Sequence, residues 1–145
     1  TGAKCFVAFW DDIPVAFASV LHFPHPKTPN MKREHRTVTL PDYQGVGIGN
    51  KLSAYIGSMC KGMGCRYVSI TSHPAMMRSR AKSAEWRMIA KPNATTKTLP
   101  RVTKEAPNPL SSHGASGAFS GRLRATFEYV GKPMGKNEAV RLWEQ

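Results

Sequence analysis

The sequence predicts an α/β fold: a mostly antiparallel, twisted sheet around one central βαβ unit. Three observations predict it. Short runs of β-branched and aromatic residues, punctuated by turn clusters, mark strands between Cys5 and Tyr129. One amphipathic stretch, Asn50 to Met63, marks a helix. Between the strand ending near Leu40 and that helix lies Gln44-Gly45-Val46-Gly47-Ile48-Gly49, with glycines at alternate positions. A glycine turn from strand into helix, with a further strand after it, is the pattern of a parallel crossover.

The elements follow in order. Cys5 to Trp10 is a strand, Asp11-Asp12-Ile13-Pro14 a turn cluster, and Val15 to Phe23 the returning strand of a hairpin. Pro24 to Arg33 holds three prolines and is expected to loop, because proline cannot donate to a sheet ladder. Glu34 to Leu40 is the next strand, followed by the glycine turn. In the helix, Leu52, Tyr55, Ile56, Met59 and Met63 recur at three- and four-residue steps and are expected to share the buried face. Gly64 stops it, and Arg66 to Thr71 completes the crossover. Pro74 opens a second helix expected to reach Glu85, with Ser72 or His73 at its N-cap. Trp86 to Ala90 is a short strand. Pro92 to Ser120 lacks periodicity and is expected to be a long flap facing the substrate. From Arg122 to Val130 the residues alternate, Leu123, Ala125, Phe127 and Tyr129 on one side. Lys136 to Trp143 is a short final helix.

Composition bounds the function. A chain of 145 residues, 41% hydrophobic, makes one domain, 1–145, with a substantial core. No apolar run approaches the roughly 20 residues a membrane span needs, and no signal-peptide pattern is present. Cys5, Cys60 and Cys65 lack the spacing of a zinc site or a paired framework, so the expectation is reduced thiols in a cytoplasmic protein. The net charge of +12 concerns partners. Arg78, Arg80, Lys82, Arg87, Lys91, Lys97, Arg101 and Lys104 fall in a span opposed only by Glu85. Such a surface attracts polyanions, nucleic acid among them, although general solubility is an equal explanation.

The glycine turn carries the chemistry. Its uncovered N–H groups and the positive end of the following helix suit a phosphate. Two familiar phosphate loops do not match. A dinucleotide fold needs G-x-G-x-x-G and an acid about 20 residues on. This chain has G-x-G-x-G, with Cys65, Arg66 and Tyr67 where the acid would stand. A Walker loop ends in Gly-Lys-Ser/Thr, whereas this one reads Gly49-Asn50-Lys51.

The longer string Leu40-Pro41-Asp42-Tyr43-Gln44-Gly45-Val46-Gly47-Ile48-Gly49-Asn50-Lys51-Leu52 resembles the acyl-CoA motif of the GNAT N-acetyltransferase family. Gln44, Gly47 and Gly49 stand at the fixed positions of its Arg/Gln-x-x-Gly-x-Gly/Ala core. The resemblance covers about Cys5 to Tyr129 and is looser after Trp86. It implies a GNAT-like sheet with acetyl-CoA as co-substrate. Gln44, Gly45, Val46, Gly47, Ile48, Gly49 and Asn50 would hold the pyrophosphate. Backbone groups of Val38, Thr39 and Leu40 would pair with the pantetheine arm, and an N–H near Val38 would face the thioester oxygen.

The resemblance also implies direct attack by an amine in a ternary complex. Glu34 and His35 are the candidate bases. Adjacent strand residues face opposite sides, so one of them is expected to meet the cleft. Histidine exchanges protons near neutral pH, whereas glutamate would need burial to raise its pKa. His22, on the neighbouring strand, is a further candidate. The family's usual tyrosine acid is missing from Met77 to Ser83, which leaves Ser79 or Ser83 nearby. The family's usual N-terminal strand and two helices are also missing from this chain. Upstream residues, another subunit or the flap would have to replace them. Expected partners are acyl-CoA, an amine acceptor with DNA or RNA among the candidates, and a second copy of the chain; no membrane is expected. The competing reading is a non-catalytic basic module of the same fold that binds nucleic acid or protein.

Overall fold

Residues 2–94 and 123–145 are described by a computed structural model. Strands β1 (Lys4–Trp10) and β2 (Ile13–His22) form a hairpin. Asp11 and Asp12 both have positive φ (45° and 63°), the geometry that matches a two-residue loop to the right-handed strand twist. Ile13 and Pro14, expected in the turn, begin β2 instead.

Strand β3 spans Met31–Thr39 and starts three residues before the expected Glu34. Its first residues close the loop, since Phe23 N–H donates to Met31 O at 2.9 Å, and Met31 itself is buried. Helix α1 (Ile48–Gly62) leads into β4 (Arg66–Thr71), and Gly64, at φ +79°, makes the stop. Helix α2 is Pro74–Lys82, capped by His73, whose Nδ1 accepts from Met76 N–H. It ends short of Glu85 because Ser83 is extended and its Oγ takes the Glu85 N–H. Strands β5 (Trp86–Ala94) and β6 (Leu123–Tyr129) pair antiparallel, and α3 (Lys136–Glu144) packs on α1.

The sheet order is β1-β2-β3-β4-β6-β5. Only β3 and β4 are parallel among the described strands. Strand β5 runs past the expected Ala90 to Ala94, and Pro92 is tolerated there because β5 is an edge strand. The flap expected over Pro92–Ser120 lies outside the described residues, apart from its first positions, which belong to β5.

The core gathers Ala18 and Val20 of β2, Ile56, Met59 and Cys60 of α1, Tyr67 of β4, and Ala125, Phe127 and Tyr129 of β6. Ala125, Phe127 and Tyr129 thus lie on the inner side that the alternation predicts. Tyr55 departs from expectation and is 50% exposed. At about 100° of rotation per residue it sits a quarter turn from Ile56, while Ser53 and Gly57 enter the buried face.

Candidate active site

Strands β3 and β4 part company early. Their ladder joins only Met31, Lys32 and Arg33 to Arg66, Tyr67 and Val68. Beyond it β3 runs on to Thr39 and β4 to Thr71, and a cleft of about 590 Å³ opens beside the free part of β3. Thr37, Val38 and Thr39 form one wall, and His73, Ala75, Met76 and Ser79 of α2 form the other. The glycine turn and Tyr43 close the end. That volume falls in the range of small-molecule sites.

The turn is built by its glycines. Gly45 (φ +86°) and Gly47 (φ +85°) occupy the left-handed region, which costs an L side chain roughly 1–2 kcal/mol. Gly47 is the N-cap of α1 and has no side chain to cap with. The first N–H groups of a helix have no intrahelical acceptor, so those of Ile48, Gly49 and Asn50 are available to an anion at the positive end of α1. Gln44 braces the turn on β3, its Nε2 donating to Thr39 O at 2.9 Å.

Backbone direction sorts the residues expected to meet the pantetheine arm. Leu40 N–H donates to Val15 O of β2 at 2.9 Å and is committed there. Backbone groups alternate between the two edges of a strand. Thr39 and Thr37 therefore turn theirs towards the fork, and Val38 turns back to its partner Phe17. Leu40 does not line the cleft, and neither does Val46, which is 70% exposed. Gln44, Gly45, Gly47, Ile48, Gly49 and Asn50 all line it. Thr37, Tyr43, His73, Ala75 and Met76 line it too, unannounced by the sequence reading. Tyr43 stood inside the motif string; the α2 residues had only Pro74 as a signal.

The candidate acid–base residues separate, and neither Glu34 nor His35 lines the cleft, although one of them was expected to meet it. Glu34 points to the α1 side of the sheet, with its side chain 7% exposed. It accepts from Thr37 and Ser53 hydroxyls, from Tyr67 Oη at 3.2 Å and from Arg80 Nη2 at 3.3 Å. Burial pushes its carboxyl up, but the Arg80 guanidinium and the Ser53 and Thr37 hydrogen bonds outweigh burial and hold it below the usual range. A glutamate tuned upward was the condition for a base here, and the opposite tuning is found. His35 is the extra residue of a bulge, where Ser19 pairs with Arg36 and Val20 with Glu34. It is exposed, with Nδ1 3.5 Å from Ser19 Oγ. His22 ends β2, paired with Lys32 at the far end of β3 from the fork. Ser79 lines the cleft and accepts from Asn50 Nδ2 at 3.2 Å, a contact across 29 residues of sequence.

The buried Cys60 thiol is poorly suited to act as a nucleophile. Burial, with Cys65 nearby, pushes the Cys60 thiol up to about 12. Among the described residues, no group of three or more His, Cys, Asp or Glu could hold a metal ion, and no helix is long and apolar enough to cross a membrane.

The sequence model of the acetyltransferase (GNAT) family matches residues 1–81, more than half of the chain. The chain belongs to the GNAT acetyltransferase family. No curated protein matches it. Solved structures share its fold. A Bacillus subtilis acetyltransferase in complex with CoA is 14% identical, with a TM-score of 0.60, over 88% of this chain and 76% of its own. The IAA acetyltransferase of Bacillus cereus is 16% identical, with a TM-score of 0.58, over 88% and 77%. A ribosomal-protein alanine N-acetyltransferase of Escherichia coli is 14% identical, with a TM-score of 0.55, over 92% and 71%.

Acetyl-CoA is the co-substrate of the GNAT family, and the groups that line the cleft are of the kind that would fit it. Free N–H groups at the start of α1 face the end where a pyrophosphate would lie. The fork-facing backbone of Thr37 would suit strand-like pairing with an amide-rich arm, whereas Thr39 O already accepts from Gln44 Nε2. When bound, the thioester supplies the activated acyl group, and the chain supplies orientation and charge stabilisation.

Proposed function

We propose that this GNAT chain transfers an acetyl group from acetyl-CoA to an amine by direct attack in a ternary complex, with His35 as the base. The observation that carries the reading is the fork. The donor cleft lies along the free end of β3, while the bulge turns His35 away from the Glu34–Arg80 side. An amine approaching from the His35 side would meet the thioester across β3. Glu34 is engaged by Arg80 and is not available for this step. Ser79, on the α2 wall, would offer its hydroxyl as a hydrogen-bond donor to the leaving thiolate, which takes its proton from solvent or from the His35 imidazolium.

For the acceptor we favour a nucleic-acid-linked amine over a protein or small amine, on the net charge of +12. The surface share of that charge is smaller than the sequence suggests. Arg80 is buried, and Arg87 is paired with Glu128 at 2.6 Å. Arg78 and Lys82 remain exposed on α2, whereas Lys97, Arg101 and Lys104 lie outside the described residues.

The test is labelled acetyl transfer to DNA, tRNA, peptide and polyamine acceptors, with His35→Gln beside wild type. General-base loss is expected to lower kcat by about 10²–10⁴-fold and to flatten the acid limb of the pH profile, with CoA affinity unchanged. Transfer by wild type with an intact profile in His35→Gln would remove His35 from the mechanism. CoA binding without transfer to any acceptor, alongside salt-sensitive nucleic-acid binding, would favour the non-catalytic module.

A further inference from the structure

A buried side-chain network spans the fork in the sheet, with one guanidinium at its centre. On the α1 side, the first residues past the β3–β4 ladder are Glu34 and Ser69. No backbone ladder joins them. Arg80 of α2 reaches between them instead, 1% exposed. Its Nη1 donates to Ser69 Oγ on β4. Its Nη2 donates to Glu34 Oε2 on β3 at 3.3 Å and to Ser53 Oγ on α1 at 2.9 Å. The guanidinium carbon lies over the Trp86 ring, 4.2 Å from its centroid. One planar group thus touches β3, β4 and α1, and it is carried by α2, so it ties together the elements that bound the coenzyme cleft.

We propose that Arg80 is a positioning residue for the coenzyme: its guanidinium takes the place of the missing ladder and fixes how far β3 and β4 diverge. The ligand in this proposal rests on the acetyl-CoA reading above; the fork itself does not. The geometry explains why an arginine is needed. A guanidinium presents donors in a rigid fork that can satisfy two strands and a helix at once, whereas an ammonium is a point charge on a flexible stem. Glu34 fixes the orientation of that fork, since its carboxylate also gathers hydrogen bonds from Thr37, Ser53 and Tyr67. Thr37 itself lines the cleft, so the network and the donor wall share a residue. On the opposite wall, Ser79 is the immediate neighbour of Arg80. A shift of the guanidinium would move both walls together.

The experiment compares wild type, Arg80→Lys and Ser69→Ala. Calorimetry with CoA measures affinity, and hydrogen–deuterium exchange of the ligand-free proteins measures the fork. The expected result is CoA affinity lowered about tenfold in Arg80→Lys. Exchange should quicken at residues 37–39 and 69–71 more than across the β1–β2 hairpin. In turnover, the loss should fall on KM for acetyl-CoA more than on kcat. A merely structural role would lower Tm and leave the affinity and local exchange of the folded protein unchanged; that result overturns the proposal. If Arg80→Lys does not fold, Ser69→Ala decides on the same readouts, because it removes the β4 contact and keeps the ion pair. If wild type fails to bind CoA, the acetyl-CoA reading falls, and the exchange pattern alone judges the fork.

Discussion

At the scale of single residues, the turn before α1 divides two demands that one glycine meets. Gly47 has a left-handed backbone, and a Cβ built on it would meet nothing within 4 Å. Alanine there is therefore a conformational cost of roughly 1–2 kcal/mol without a clash in the free protein. Glutamate adds a negative charge where a pyrophosphate would approach the free N–H groups. Gly47→Glu should weaken CoA binding about a hundredfold, equivalent to about 2.7 kcal/mol, and Gly47→Ala should weaken it far less. Calorimetry on folded variants checks this. Equal affinity for wild type and Gly47→Glu would detach the loop from the coenzyme.

At the scale of elements, α1 lies against β6 closely enough for one position to exclude a side chain. A Cβ on Gly57 would fall 2.6 Å from Tyr129 Cγ. Helix propensity favours alanine over glycine by about 1 kcal/mol. The clash opposes it, because overpacking costs about 1–3 kcal/mol and Tyr129 is also held by Trp86 at 5.5 Å between ring centroids. Gly57→Ala should lower Tm despite the better helix former; a raised Tm would show that Tyr129 is free to move. The elements legible in the sequence were those with local signals. The β1–β2 hairpin had a turn pair between two apolar runs, and β4 had its glycine stop and a β-branched run. The start of β3 was hidden because Met31 follows a proline-rich loop, and its pairing with Arg66 is known only to the fold. Pro92 similarly masked the end of β5. In the site, the phosphate turn was legible because its function rests on contiguous backbone. The Glu34–Arg80 contact spans 46 residues and has no local pattern, so in the sequence Arg80 is indistinguishable from the surface charges around it. The alternation that separates Thr37 and Thr39 from Leu40 depends on which edge β2 occupies, which residue types do not encode.

At the scale of the whole molecule, two carboxylates on opposite faces of the sheet set its response to acid. Burial raises Glu34, but Arg80 and the Ser53 and Thr37 hydrogen bonds prevail and hold it down. Glu128 is held below the usual range chiefly by its hydrogen bond from Arg66, with Arg87 assisting against burial. Both folded values lie below the ordinary value of 4.5. A depressed carboxylate contributes stability that is present above its unfolded pKa and lost as pH falls through its folded pKa. Stability should therefore decline from about pH 4.5 downward. The two pairs differ in their access to salt. Arg66 and Arg87 have side chains 43% and 63% exposed, whereas Arg80 is sealed. At 1 M salt the screening length is about 3 Å, which weakens the Glu128 pairs and barely reaches Arg80. Urea midpoints from pH 7 to pH 3, in low and 1 M salt, test this for wild type, Glu34→Gln and Glu128→Gln. Glu34→Gln should be destabilised at neutral pH, because it leaves Arg80 buried without its counter-charge. Its curve should converge on wild type in acid, with the same gap at both salt concentrations. The gap for Glu128→Gln should shrink in 1 M salt. Parallel curves for wild type and Glu34→Gln throughout the acid range would show that the buried pair does not govern acid stability.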